Sequence, residues 1–168
     1  MLKERKPNRL HDYDYSSDNL YFITSCVENG ICCFGEIIKI AESGYDYRRM
    51  SLNDYGKIAE RQWYWLAEQY RYTVLHAFVV MPNHIHGIIE IARRKSLDSR
   101  VKIKSLSELM GAYKTTVSKQ IHEAGYKEFV WQRSFHDVII NNEKTYENIR
   151  EYIHKNPMNW EQDNYFES

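Results

Sequence analysis

The sequence predicts an α+β domain, a mostly antiparallel sheet with helices packed on one face. Two β-rich runs, YTVLHAFVV and HIHGIIEIA, are separated only by Met81, Pro82 and Asn83. Strands joined by so short a turn must be antiparallel neighbours. Along the chain the order reads strand, short strand, helix, two strands, helix, strand, helix. A length of 168 residues with 43% hydrophobic and 27% charged content suits one domain, 1–168, with a single core.

The first strand is LYFITSCV, Leu20 to Val27, with a hairpin expected around Glu28 to Gly30. A short strand near Glu36 to Ile40 and a polar connection, ESGYDYRR, follow. Ser51 or Asn53 then caps a helix running to about Gln69, with Tyr55, Ala59, Gln62, Leu66 and Tyr70 at helical spacing. After the paired strands, Ser105 and Glu108 form a capping box. Leu106, Leu109, Met110, Tyr113, Val117 and Ile121 make that helix's apolar stripe, and Gly125 stops it. FVWQRSFHDVIIN, Phe129 to Asn141, reads as a loop entering a strand. Asn142 and Glu143 start a last helix through Tyr146, Ile149 and Ile153, which Pro157 ends. Residues 1–15 and 161–168 are expected to be loosely ordered, and the sheet face opposite the helices to be free for a ligand.

No run approaches the roughly 20 apolar residues of a membrane span, and Met1 to Leu10 is charged, which points to a cytoplasmic protein without membrane partners. Cys26, Cys32 and Cys33 form no C-x-x-C pair, which argues against a disulfide framework or a cysteine zinc site. Basic and acidic side chains balance at 23 each, so a nucleic-acid partner must be met by a local positive surface. Two clusters qualify: Lys3, Arg5, Lys6 and Arg9 at the N-terminus, and Arg93, Arg94, Lys95, Arg100, Lys102 and Lys104 before the capped helix. A solvated surface accounts for such runs equally well.

The pair His84-Ile85-His86 opens the second of the paired strands. Residues two apart in a strand share a face, so both imidazoles can converge on one ion or phosphate. With seven histidines in the chain, chance also yields such pairs. On the last helix, Tyr152 and Asn156 are four apart and look at a common point. Tyr152 borders the apolar stripe, which suits a packed ring with an exposed hydroxyl, whereas Tyr113 and Tyr146 lie within their stripes.

VVMPNHIH resembles the histidine-hydrophobic-histidine (HUH) motif, and VWQRSFHDVIINNEKTYENIREYIHKNP resembles the C-terminal half of the REP-associated tyrosine transposases, relatives of single-tyrosine insertion-sequence transposases. The likeness extends in texture to RLHDYDYSSDNLYFITSCVENGICCFGEI and MSLNDYGKIAE, from about Arg9 to Trp160. It implies a ferredoxin-like HUH nuclease fold and an enzyme that cleaves and rejoins single-stranded or hairpin DNA through a 5′-phosphotyrosine. By position, His84 and His86 match the metal histidines, Asn156 the third ligand and Tyr152 the nucleophile. The implied cofactor is Mg²⁺ or Mn²⁺. Energy conserved in the covalent bond makes a nucleotide cofactor unnecessary, in keeping with the lack of a P-loop pattern.

For DNA, Arg93, Arg94, Lys114, Lys119, Gln132 and Arg133 are candidate contacts, and Trp131 could stack on an unpaired base or anchor the core. Lys155 and Arg150 are near Tyr152 in sequence, but neither is assignable as the group that assists its ionisation. The chain departs from the family where relatives often carry a histidine and then an arginine after WQR; here Val138 and Asn141 stand, with His136 slightly earlier. A structured-DNA-binding protein without turnover and a metal-dependent hydrolase without an adduct remain the alternatives, and the chain is compatible with a monomer or a homodimer.

Overall fold

The sheet grows from the hairpin that the Met81-Pro82-Asn83 turn closes, where the Met81 N–H donates to His84 O at 2.8 Å. In this computed structural model, residues 19–42 and 44–167 are described. Strand β4 (Thr73–Val80) pairs antiparallel with β5 (His84–Ile91), as the turn length requires. Strand β1 (Asn19–Cys26) lies on the other side of β5, and β6 (His136–Ile140) pairs with β1. The order β4-β5-β1-β6, antiparallel throughout, places β1 and β5 at the centre.

Helix α1 (Asp54–Gln69) follows its Asn53 cap, whose side chain accepts from the Gly56 N–H. Helix α2 (Leu106–Glu123) starts with the capping box at Ser105 and Glu108, and its six-residue stripe is entirely buried. Gly125, at φ +111°, takes the left-handed conformation that ends it. These elements form the ferredoxin-like βαββαβ arrangement. The main core, which includes Tyr21, Ile23, Ile85, Ile89, Trp63, Leu66, Leu109, Tyr113 and Val117, lies between the sheet and α1 with α2.

Gly87 lets α1 approach closely. A Cβ there would sit 2.6 Å from Trp63 Cζ2, and the indole instead stacks on Phe78 at 4.5 Å and 7°.

Two features differ from the sequence reading. Glu28–Gly30 is a short 3-10 turn and not a hairpin back to β1; β2 (Gly35–Glu42) pairs with β3 (Tyr45–Leu52) as a separate ribbon. Strand β3 is the stretch expected to be a polar connection. Its first residues, Tyr45, Asp46 and Tyr47, are all exposed, and only Arg48, Met50 and Leu52 turn partly inward, too short a run to announce a strand. The second difference is helix α3 (Glu143–Lys155), which packs on the face opposite α1 and α2. Its stripe of Tyr146, Ile149 and Ile153 covers Ile88, Ile140, Phe22 and Val79, apolar side chains that would otherwise face water. The face expected to be free is thus partly occupied by the helix that carries Tyr152.

Among the described residues no helix is long and apolar enough to cross a membrane. Residues 1–15, expected to be loose, lie outside the described residues, as does the basic cluster from Lys3 to Arg9. Cys26, Cys32 and Cys33 are free thiols. Burial pushes Cys26 up to about 11 and Cys33 up to about 12, consistent with unreactive side chains.

Candidate active site

The alternation of β5 turns Ile85 toward the main core and sends His84 and His86 to the α3 face, both buried at 0% and 1% exposure. Their Nε2 atoms face each other at 3.0 Å. Asn83 orients the first ring. Its Nδ2 donates to Gly30 O and Tyr165 O, at 3.1 and 2.8 Å, so Oδ1 is left to accept at 2.8 Å from His84 Nδ1. That contact puts the His84 proton on Nδ1 and leaves Nε2 a lone pair. His86 Nδ1 lies 2.7 Å from Thr24 Oγ1, a hydroxyl able to accept the corresponding proton. Phe22 stacks on His86 at 5.3 Å.

Burial lowers both imidazoles to about 3. The two rings are therefore neutral over the physiological range, the form in which imidazole ligates metals.

Helix α3 brings its two polar residues to the same place. Tyr152 Oη is 3.4 Å from His86 Nε2, and the ring is 45% exposed. Its pKa is raised chiefly by burial and also by the Asp163 carboxylate, while a hydrogen bond with Asn156 works the other way. Asn156, one turn on, is buried; its Nδ2 donates to Asp163 Oδ2 at 3.0 Å, and its Oδ1 is a buried acceptor with no hydrogen-bond partner.

Residues 161–167, expected to be loose, fold back over the site. Arg48 pairs with Glu161 at 3.0 Å, Tyr165 packs its ring 4.7 Å from that of His84, and Asp163 brings a carboxylate beside the imidazoles. The ligand atoms of His84, His86 and Asp163 lie within 4.8 Å of one another.

These residues fit a divalent cation. Two neutral imidazole nitrogens stand 3.0 Å apart, with the Asp163 carboxylate within 4.8 Å and a buried, unsatisfied amide oxygen on Asn156. Imidazole with oxygen ligands suits Mn²⁺, and oxygen ligands suit Mg²⁺.

The family described as "Transposase IS200 like" matches residues 45–156. An uncharacterized protein of Haemophilus influenzae is 33% identical over 175 aligned positions, which span 96% of this chain and 93% of that protein. The chain belongs to the IS200-like transposase family. Among solved structures, a REP-associated tyrosine transposase bound to a REP hairpin shares the fold, with a TM-score of 0.59 at 20% identity over 89% of this chain and 72% of that one. A putative transposase from Deinococcus radiodurans aligns with a TM-score of 0.47 at 14% identity, over 90% of this chain and 97% of that one.

In this IS200-like transposase the candidate DNA contacts divide. Lys114, Gln132 and Arg133 line a cleft of about 1450 Å³ that Asn83, His136, Asn164 and Tyr165 also border, next to the histidines. Lys114 Nζ donates to Gln132 O at 2.5 Å and to Arg133 O at 3.3 Å, tying α2 to the WQR loop. Arg93 and Arg94 follow the far end of β5, a strand whose eight residues span roughly 25 Å. Arg94 there pairs with Glu90 at 2.9 Å. Lys119 borders a separate hollow between α1 and α2.

Trp131 is not available for stacking on a base. It is 6% exposed and packs against Phe34, Phe129 and Tyr113 in the main core. Arg150 and Lys155 pair with Glu147 and Glu151 along the helix. The sequence reading missed Asn83, Thr24, Asp163 and Tyr165. Thr24 faces His86 only through the β1–β5 register, and Asp163 arrives through a chain reversal after α3 that carries no periodic signal.

Proposed function

We propose that the protein is a metal-dependent nuclease of transposase type, which cleaves and rejoins hairpin-associated single-stranded DNA through Tyr152. The observation that carries this reading is the approach of Tyr152 Oη to His86 Nε2 at 3.4 Å, with the buried, unpartnered Asn156 Oδ1 one helical turn away on α3. His84, His86 and Asn156 would hold the ion. When bound, a divalent cation supplies polarisation of the phosphate and neutralises developing charge.

Phe22 stands edge-on to the Tyr152 ring at 6.2 Å and, with His86, limits the directions the phenol can take. The phenolic oxygen attacks the phosphorus, the bond to the 3′-oxygen breaks, a 5′-phosphotyrosine forms, and the proton the phenol loses to solvent is matched by one the departing 3′-oxygen takes up to become a 3′-hydroxyl. Attack by the 3′-hydroxyl reverses the step and reseals the strand. Burial and the Asp163 carboxylate make Tyr152 harder to ionise, so its proton needs a nearby cation or a base to leave.

Lys114, Gln132 and Arg133 would grip the strand in the adjoining cleft. Support for a hairpin partner comes from the solved relative, a REP-associated tyrosine transposase bound to a REP hairpin.

The test is incubation with hairpin oligonucleotides and Mn²⁺, followed by mass spectrometry. A protein-DNA adduct on a peptide containing Tyr152, lost in Tyr152→Phe, is the expected result. Binding without an adduct would leave a structured-DNA-binding protein; cleavage that survives Tyr152→Phe would point to hydrolysis by water.

A further inference from the structure

We propose that Asp163 is a fourth protein ligand of this cation site, and that filling the site fastens residues 160–165 over the two histidines. The proposal deepens the reading above and rests on its cation site at His84 and His86.

The geometry starts from the ligand atoms. Atoms held about 2.0–2.2 Å from one ion lie no more than roughly 4.4 Å apart. The Asp163 carboxylate, His84 and His86 already fall within 4.8 Å of one another, so a shift of a few tenths of an ångström closes the set. The carboxylate is also held in direction: Oδ1 accepts from the Tyr165 N–H at 2.9 Å and Oδ2 from Asn156 Nδ2 at 3.0 Å. The second contact has a consequence for Asn156. With Nδ2 engaged by Asp163, the amide must present Oδ1, its buried and unpartnered atom, on the remaining side.

Lone pairs therefore gather from four side chains. Two come from imidazoles, one from an amide oxygen and one from a carboxylate. A cation offsets their mutual repulsion, and the carboxylate adds the only full negative charge in the set. Four protein ligands of six leave two positions for a phosphate oxygen and water.

The same segment is tied to the site a second time. Tyr165 O accepts from Asn83 Nδ2 at 2.8 Å, and Asn83 Oδ1 sets the His84 tautomer. The Tyr165 ring covers His84, and Trp160 lies 6.1 Å from it. Closure of the segment and occupancy of the site share these contacts, so each stabilises the other.

The experiment is Mn²⁺ titration by calorimetry of the full chain without DNA, for wild type, His84→Ala, Asp163→Asn, Asp163→Ser and Glu167→Gln. Melting curves establish that each variant is folded. Asp163→Asn and Asp163→Ser should each weaken Mn²⁺ at least tenfold, and Glu167→Gln, which removes an exposed charge from the end of the same segment without touching the Arg48–Glu161 pair, should not. Two further readouts separate ligation from mere packing. The visible d–d spectrum of the Co²⁺-loaded protein should change in Asp163→Asn. Mn²⁺ should slow hydrogen exchange of the amides of residues 160–166 in wild type but not in that variant.

Wild-type affinity and an unchanged Co²⁺ spectrum in both Asp163 variants, with binding lost in His84→Ala, would overturn the fourth ligand and leave the histidine site standing. Equal weakening by Glu167→Gln would assign the effect to general charge, again overturning it. Failure of wild type to bind Mn²⁺ at all would remove the cation site itself.

Discussion

Tyr152 Oη lies 3.4 Å from His86 Nε2 although 66 residues separate them. Helix α3 makes this contact by crossing the sheet face to which β5 turns its histidines. The phenol is 45% exposed, so its hydroxyl contributes little to the fold. Tyr152→Phe should change stability by no more than about 0.5 kcal/mol while removing the adduct. Tyr113→Phe should do the opposite. Its buried hydroxyl donates to Ala59 O at 2.9 Å, and losing that bond should cost about 1–3 kcal/mol and leave adduct formation intact in the folded fraction. Urea denaturation alongside adduct yield on one hairpin substrate checks both.

Asn83 offers a test of how the ring is oriented. Asn83→Ala removes the acceptor for His84 Nδ1–H and should lower Mn²⁺ affinity about 10–100-fold, as loss of such supporting groups does at other metal sites. Asn83→Asp keeps an acceptor for the ring but loses the donor to Tyr165 O. It should retain more of the affinity than Asn83→Ala while speeding amide exchange in residues 160–166. Equal losses in the two variants would contradict the tautomer argument.

The glycine between the histidine pair and the rest of β5 is required by packing against α1. In Gly87→Ala the new methyl would meet Trp63 Cζ2 and Cη2 at 2.6 and 2.7 Å, forcing the stacked indole off Phe78. Overpacking of this kind costs about 1–3 kcal/mol. A lowered denaturation midpoint is the expected result, and the double variant Gly87→Ala with Trp63→Phe should recover part of the difference relative to Trp63→Phe alone.

Local chemistry was legible where one turn or one face decides it. Ser105 with Glu108, Asn53, Asn142 and Gly125 mark helix ends through bonds within four residues, and the α2 stripe faces a single core. The His84, His86, Tyr152 and Asn156 cluster was legible because strand and helix spacing fix each pair, and the family resemblance joined the pairs. Strand β3 was not, since Tyr45 to Tyr47 bury no face and so show no period. Nor was the side of the sheet on which α3 packs. Its stripe reveals that it packs, and only the alternation of Phe22, Ile88 and Val79 in the assembled sheet reveals where. Asp163 reaches the site through a turn after Pro157 whose direction depends on Trp160 and Tyr165 finding the His84 ring.

The WQR loop separates packing from DNA contact within three residues. Trp131 sits among Phe34, Phe129 and Tyr113, whereas Arg133 is exposed on the cleft wall. Trp131→Phe should therefore lower stability and leave the affinity of the folded protein for hairpin DNA unchanged. Arg133→Ala should weaken that affinity, with little effect on the fold. If Arg133 neutralises one phosphate, the slope of log affinity against log salt should become shallower by about 0.7–0.9. Arg94→Ala, at the far end of β5 and paired with Glu90, should change neither affinity nor slope. Fluorescence anisotropy with a labelled hairpin over a range of salt reads all three. A slope that Arg94→Ala alters and Arg133→Ala does not would move the DNA path away from the cleft beside the histidines.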